Sequence, residues 1–169
     1  MKKATFGSGC FWCVEAIYQQ LNGVRSVAPG YSGGTVANPS YEEVCTGSTK
    51  HAEVIHLEYD EDLISYKELL EVFFKTHDPT TLNRQGEDIG TQYRSVIFPH
   101  SKEQDVIAKE TIDALTQEKI FDRPIVTSLE PFQVFYEAEE YHRNYFKKNP
   151  EKAYCAAVVR PKVEKFERV

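Results

Sequence analysis

Ala4-Thr5-Phe6-Gly7-Ser8-Gly9-Cys10-Phe11-Trp12-Cys13-Val14-Glu15-Ala16-Ile17-Tyr18 changes periodicity midway. Ala4 to Gly7 reads as a short strand. Val14, Ile17, Tyr18 and Leu21 then recur at helical spacing until Asn22-Gly23 stops them. Strand, turn and helix in immediate succession is a unit of layered α and β structure, and the rest of the chain repeats the alternation. Val24 to Tyr31 reads as extended and runs into a turn-rich loop through Ser32-Gly33-Gly34 and Asn38-Pro39. Ala52 to Tyr59 is a strand. Ser65-Tyr66-Lys67-Glu68 is a capping box opening a helix with Leu69, Leu70, Phe73 and Phe74 inward, which should end near His77-Asp78-Pro79. A polar loop covers Thr80 to Gln92, and Arg94 to Phe98 is a strand. Ser101 caps a helix with Ile107, Thr111, Ala114 and Leu115 inward. Val126 to Leu129 should be another strand and Glu139 to Lys148 a helix ended by Asn149-Pro150; residues 151–169 keep no clear period. The alternation predicts a two-layer α+β sandwich, with a doubly wound parallel sheet as the rival.

At 169 residues the chain has the length of one domain, and 41% apolar residues can fill one core without disulfide staples. We find no repeat or linker that would divide it, so residues 1–169 read as a single domain. Twenty Lys and Arg against 26 Asp and Glu leave a formal charge of −6, and no basic block exceeds a pair, which argues against a nucleic-acid partner. No apolar run spans a bilayer, and Met1-Lys2-Lys3 has no apolar h-region behind it. The expectation is a cytoplasmic protein, and, without long heptads, a monomer. Four cysteines in such a chain are more often reactive or incidental than bridging.

The densest chemistry is Gly9-Cys10-Phe11-Trp12-Cys13. A glycine-rich strand exit delivers Cys10 to the first turn of a helix, where free backbone N–H groups favour a thiolate, making Cys10 a candidate nucleophile. Cys13, three residues on, has its Cα ~5 Å away by helix geometry, within disulfide range. The alternative is that Cys13 is a small buried hydrophobe. Metal binding is disfavoured because Cys45 and Cys155 are isolated. Phe11 and Trp12 could wall an apolar pocket suited to a methyl group or thioether, or simply anchor the helix to the sheet.

Gly9-Cys10-Phe11-Trp12 with Glu15, Gly30-Tyr31-Ser32-Gly33-Gly34, His51-Ala52-Glu53-Val54 and Gly90-Thr91-Gln92-Tyr93-Arg94-Ser95, in that order, resemble the peptide methionine sulfoxide reductase A family. Asn149-Pro150 and Tyr154-Cys155 extend the similarity along nearly the whole chain. The resemblance implies an enzyme reducing the S epimer of methionine sulfoxide, free or in proteins, with no metal or organic cofactor. It also implies a two-layer α/β sandwich around a mixed sheet. We expect a ferredoxin-like core, long loops and an irregular C-terminal tail.

Thiolate attack on a sulfoxide needs a proton donor at the oxygen. Strand parity puts Glu53 with Ile55, Leu57 and Tyr59 on the more apolar face of its strand, where desolvation would keep a carboxyl protonated. Spacing alone favours a salt-bridged core glutamate; the resemblance makes Glu53 the acid. The resemblance also carries over Tyr41 and Tyr93 as hydrogen-bond donors to the sulfoxide oxygen and Asp88 as an ordering group. The expected cycle makes a sulfenic acid at Cys10, then an intramolecular disulfide reduced by thioredoxin. Here the sequence departs from the family, which commonly has glycine at position 13 and its resolving cysteine in a glycine-rich tail. Cys155 has that tail position, but Ala156-Ala157-Val158-Val159-Arg160-Pro161 has no glycine to make it pliant, so Cys13 is preferred over Cys155. Cys45 has no assigned task, and a relay through two thiols is a further alternative. Two other readings compete: a thioredoxin-like Cys-X-X-Cys disulfide oxidoreductase, and a non-enzymatic aromatic cage for a methyl-bearing ligand.

Overall fold

The computed structural model describes residues 1–167. Strand β1 (Lys2–Ser8) leads into helix α1 (Phe11–Tyr18), followed by β2 (Val24–Ser32), the short helix α2 (Tyr41–Cys45) and β3 (Ala52–Tyr59). Helix α3 (Tyr66–Lys75) precedes a small ribbon of β4 (Arg84–Gln85) and β5 (Asp88–Ile89). A 3-10 turn at Thr91–Tyr93 then enters β6 (Ser95–Phe98) and helix α4 (Lys102–Gln117). Edge strands β7 (Ser128–Leu129) and β8 (Phe135–Glu137) come next, then a 3-10 turn at Glu140–His142, helix α5 (Tyr145–Lys148), a π-helical stretch Cys155–Val159 and helix α6 (Arg160–Glu167).

The main sheet has the order β7-β6-β1-β3-β2-β8. Every pairing is antiparallel except β6 with β7. The fold is α+β with a mixed sheet, and the antiparallel pairing of β1 with both neighbours excludes the doubly wound alternative. Parity in β3 is as expected: Ile55, Leu57 and Tyr59 join the core beneath the helices, while Ala52 and Val54 face the other side with Val96 and Phe98, under Phe132 and Phe135. Covering both faces buries β1, whose Ala4, Thr5 and Phe6 have no exposed surface. Each fully buried Phe, Leu or Ile contributes ~1.5–3 kcal/mol.

Both halves of the Ser65–Glu68 capping box form, and Leu69, Leu70, Phe73 and Phe74 are buried as predicted. In α4 the inward stripe runs through Gln104, Ile107, Ala108 and Thr111, and Ala114 is exposed on the flank, contrary to expectation. The expected strand at 126–129 is reduced to Ser128–Leu129. The expected helix over 139–148 is broken by Asn144, which adopts φ 55 and donates its backbone N–H to Glu15 Oε2 at 3.0 Å. Nor is the C-terminal tail irregular. Helix α1 is buried on nearly every side, and the tail supplies part of its cover through Cys155, Val159 and Val163, which recur every four residues. Three small apolar residues among many polar ones did not register as a period; the helix they belong to exists because α1 needs a lid.

Among the described residues, no helix is long and apolar enough to cross a membrane. Gly30 carries the junction of β2 with β8: a Cβ there would meet the Phe135 ring and the Tyr136 carbonyl oxygen, each at 2.3 Å. Gly30→Ala should therefore lower unfolding free energy by about 1–3 kcal/mol in urea titrations, by forcing overpacked groups apart.

Candidate active site

The turn between β1 and α1 begins at Gly9, whose φ of +96 suits glycine and whose missing side chain lets Gln85 of the ribbon close in. Gln85 is itself fixed to the backbone of Asp78 by two hydrogen bonds, at 2.7 and 2.9 Å. Cys10, the residue after Gly9, caps α1 with extended backbone and is 6% exposed. Glu53 rises from the helix-facing side of β3 to the start of α1, where its Oε1 accepts the Phe11 N–H at 3.2 Å. Its Oε2 is buried with no partner. Burial first, and then the nearby Cys10 sulfur, push the Glu53 carboxyl well above the usual range, against the Phe11 N–H. Strand parity anticipated the buried, apolar face on which Glu53 lies; the salt-bridged core glutamate that spacing alone favoured is not what the structure holds, since its partner is the Phe11 N–H.

Cys10 departs from expectation. The Trp12 N–H and the Tyr154 hydroxyl both favour its thiolate, but desolvation outweighs them, and the neighbouring Cys13 thiol pushes the same way; the Cys10 thiol is held well above its ordinary value. A helix N-terminus lowers a thiol's pKa only if burial does not take back more than the dipole supplies. Cys13, hydrogen-bonded to Cys10 and near the Lys162 ammonium, is drawn down. The pair shares its titration, and all four cysteines are reduced.

Phe11 is wholly buried, and Trp12 stacks on Tyr145 with ring centroids 3.9 Å apart while donating its Nε1–H to His142 Nδ1 at 3.0 Å. Tyr41 opens α2 and lays its ring over Phe11, centroids 6.2 Å apart. Burial and then Glu53 raise the hydroxyl pKa values of both Tyr41 and Tyr93, which keeps them donors. Asp88, in β5, accepts a short hydrogen bond from Tyr154, whose hydroxyl also reaches Cys10. Cys155 is buried, and burial first and then the nearby Cys10 sulfur push its thiol up, whereas Cys45 is exposed beside Tyr41. The fold thus gathers Cys10, Cys13, Glu53, Tyr41, Tyr93, Asp88, Phe11, Trp12 and Cys155 at one end of α1. A cavity of about 450 Å³ opens beside Trp12, Tyr41 and His142. A larger one of about 1020 Å³, between α3, residues 120–123 and α6, has no cysteine in its walls.

Tyr154 and His142 were missed as site residues. Tyr154 stands next to Cys155 in a segment already read as similar to the family, so a signal existed; for His142 nothing local distinguished it. Among the described residues, no group of three or more His, Cys, Asp or Glu is placed to hold a metal ion.

A thiol pair beneath a carboxylic acid, walled by aromatic rings, defines a cysteine-dependent redox enzyme. Comparison with known proteins narrows this. A family model described as peptide methionine sulfoxide reductase matches residues 2–169. The chain is 55% identical over 166 residues to peptide methionine sulfoxide reductase MsrA of Polynucleobacter asymbioticus, covering 98% of this chain and 87% of that one. Among solved structures, Mxr1 from Saccharomyces cerevisiae in reduced form superposes with a TM-score of 0.83 at 39% identity, over 91% of this chain and 88% of that one. Mxr1 in complex with Trx2 matches with a TM-score of 0.59 at 30% identity, over 85% and 84%. The chain belongs to the peptide methionine sulfoxide reductase family. The disulfide-oxidoreductase and aromatic-cage readings leave its buried Glu53 carboxyl without a task.

Because the Tyr154 hydroxyl is one of two donors opposing the desolvation of Cys10, Tyr154→Phe should raise the Cys10 pKa further. Iodoacetamide alkylation of Cys10, followed by mass spectrometry across pH 7 to 10, should slow severalfold at neutral pH. An unchanged profile would remove Tyr154 from the control of this thiol.

Proposed function

We propose that this chain, as one catalytic domain of residues 1–169 whose last two residues lie outside those described, reduces methionine S-sulfoxide to methionine in the cytoplasm. The observation that carries the mechanism is Glu53, 1% exposed, with one oxygen tied to α1 and the other bare. The Cys10 sulfur attacks the sulfoxide sulfur while Glu53 gives its proton to the oxygen. The protonated oxygen then passes to the Cys10 sulfur as the substrate S–O bond and the transient bond between the two sulfurs break; methionine leaves reduced, Cys10 is oxidised to a sulfenic acid, and the proton lost by the thiol balances the one Glu53 donated. Tyr41 and Tyr93 donate hydrogen bonds to the oxygen, Asp88 orders the site through Tyr154, and Phe11 and Trp12 receive the substrate's methyl end. No metal or organic cofactor takes part.

Cys13 then attacks the Cys10 sulfenic acid, expelling water and forming a disulfide. Its place on the same helical turn and its lowered pKa support this assignment. Cys155 is fully buried at the head of a π-helical stretch, in a tail without glycine. Thioredoxin, as an external dithiol, returns the enzyme to its reduced state; the structure of Mxr1 in complex with Trx2 supports such a reductant. We also read β1, β2, β3 and β6 as a ferredoxin-like core, a reading supported by their sheet order β6-β1-β3-β2 with α1 and α3 between successive strands.

Glu53→Gln should slow single-turnover reduction of a methionine sulfoxide peptide by ~10²–10⁴-fold while leaving Cys10 open to alkylation; an unaffected rate would remove Glu53 as the acid. For the resolving step, thiol counting and mass mapping after one equivalent of substrate should find a Cys10–Cys13 disulfide in wild type and in Cys155→Ser. In Cys13→Ser that bond should be absent and sulfenic acid should persist. Loss of the disulfide in Cys155→Ser alone would reject Cys13 as the resolver.

A further inference from the structure

The segment after β8 takes no part in the chemistry above, yet one of its side chains grips two walls of the site. Glu139 Oε1 accepts the hydroxyl hydrogen of Tyr31 at 2.9 Å, and Oε2 accepts the backbone N–H of Tyr41 at 2.9 Å. Both contacts join parts of the chain about a hundred residues apart in sequence, and neither carboxylate oxygen is idle.

Each partner needs what Glu139 offers. Tyr41 is the first residue of α2, so its N–H has no acceptor within the helix. The side chain that might have served, Ser40, is already engaged by the Glu43 N–H in the capping box. A helix as short as Tyr41–Cys45 has little stability of its own, so the placement of its first residue depends on contacts from outside. Tyr31 is wholly buried and its hydroxyl must find an acceptor. Tyr31 is also the cross-strand partner of Glu53 in the pairing of β2 with β3, and its ring lies 5.7 Å from that of Phe11. Tyr41 lies against the same phenyl ring. The carboxylate therefore closes a ring of contacts, Tyr31 to Phe11 to Tyr41 and back. Although partial burial opposes ionisation, the Tyr41 N–H and the Tyr31 hydroxyl hold Glu139 below the usual carboxylate range, so it accepts at both ends.

We propose that Glu139 is a positioning residue for sulfoxide reduction, one that fixes Tyr41 against Phe11 and near Glu53 by holding that tyrosine's own backbone while bracing Tyr31 behind it. The inference rests on the reading of Tyr41 as a hydrogen-bond donor to the sulfoxide oxygen.

A double-mutant cycle in single-turnover reduction of a methionine sulfoxide peptide separates positioning from general structural support. Glu139→Ala should lower the reduction rate constant about tenfold or more, as small misplacements of catalytic groups do, with the substrate Kd changed by less than about threefold. In a Tyr41→Phe background the same change should cost less than about threefold more, because the hydroxyl it positions is already gone. Glu139→Gln should recover part of the rate, since its amide oxygen can still accept from the Tyr41 N–H although the Tyr31 hydroxyl loses its acceptor. If Glu139→Ala does not fold, Glu139→Asp, one methylene short of spanning both partners, replaces it in the cycle. A wild-type rate in the Glu139 variant beside a slow Tyr41→Phe enzyme, or losses that multiply in the double variant, would overturn the assignment of Glu139 alone. A wild-type rate in Tyr41→Phe would instead remove Tyr41 as a donor, and the route proposed for Glu139 with it.

Discussion

The hydrogen bond from the Phe11 N–H to Glu53 is the contact on which the architecture of the site turns. It ties the first free donor of α1 to the helix-facing side of β3, so the helix that bears Cys10 and the strand that bears the acid cannot separate without leaving two buried polar groups unpaired. That penalty, ~1–3 kcal/mol for each group, is comparable with burying a large side chain. The same contact occupies only one carboxyl oxygen. The other is buried without a partner, and burial there favours the protonated over the charged form. One arrangement therefore does two things: it holds the carboxyl at one end by a helix N–H and buries it so that its pKa is pushed up.

Burial acts on Cys10 in the opposite sense from the helix N-terminus. The thiol meets donors from Trp12 and Tyr154 that favour its anion, but these offset only part of the desolvation. A site of this kind protects its sulfur from indiscriminate oxidation while keeping donors in place for when charge develops. The adjacent Cys13 shares a hydrogen bond with Cys10 and lies near the Lys162 ammonium, which favours its thiolate.

The C-terminal third of the chain supplies less chemistry than constraint. Asn144 and Gln19 join α5 to α1, Tyr154 brings its hydroxyl between Asp88 and Cys10, and Glu139 binds the loop of α2 to the sheet. These contacts span more than sixty residues in sequence, and their loop-closure entropy is offset because each satisfies a buried or helix-terminal polar group. The loop and short helices that a sheet edge would otherwise leave loose become walls of a cleft.

Periodicity and capping in the amino-acid sequence were enough to determine β1, β2, β3, α3 and β6, because alternation and helical spacing are local properties of the backbone. They also placed Glu53 on its apolar face and Cys10 at a helix start, and the ordered motifs pointed to the family. What only the tertiary structure decided was the state of those groups. The Cys10 thiol is set by a balance between burial and the hydroxyl of Tyr154, a residue far along the chain. The folded tail, the break at Asn144 and the double grip of Glu139 were equally invisible from spacing, since each answers the unmet packing or hydrogen-bonding need of a distant element rather than any pattern of its own.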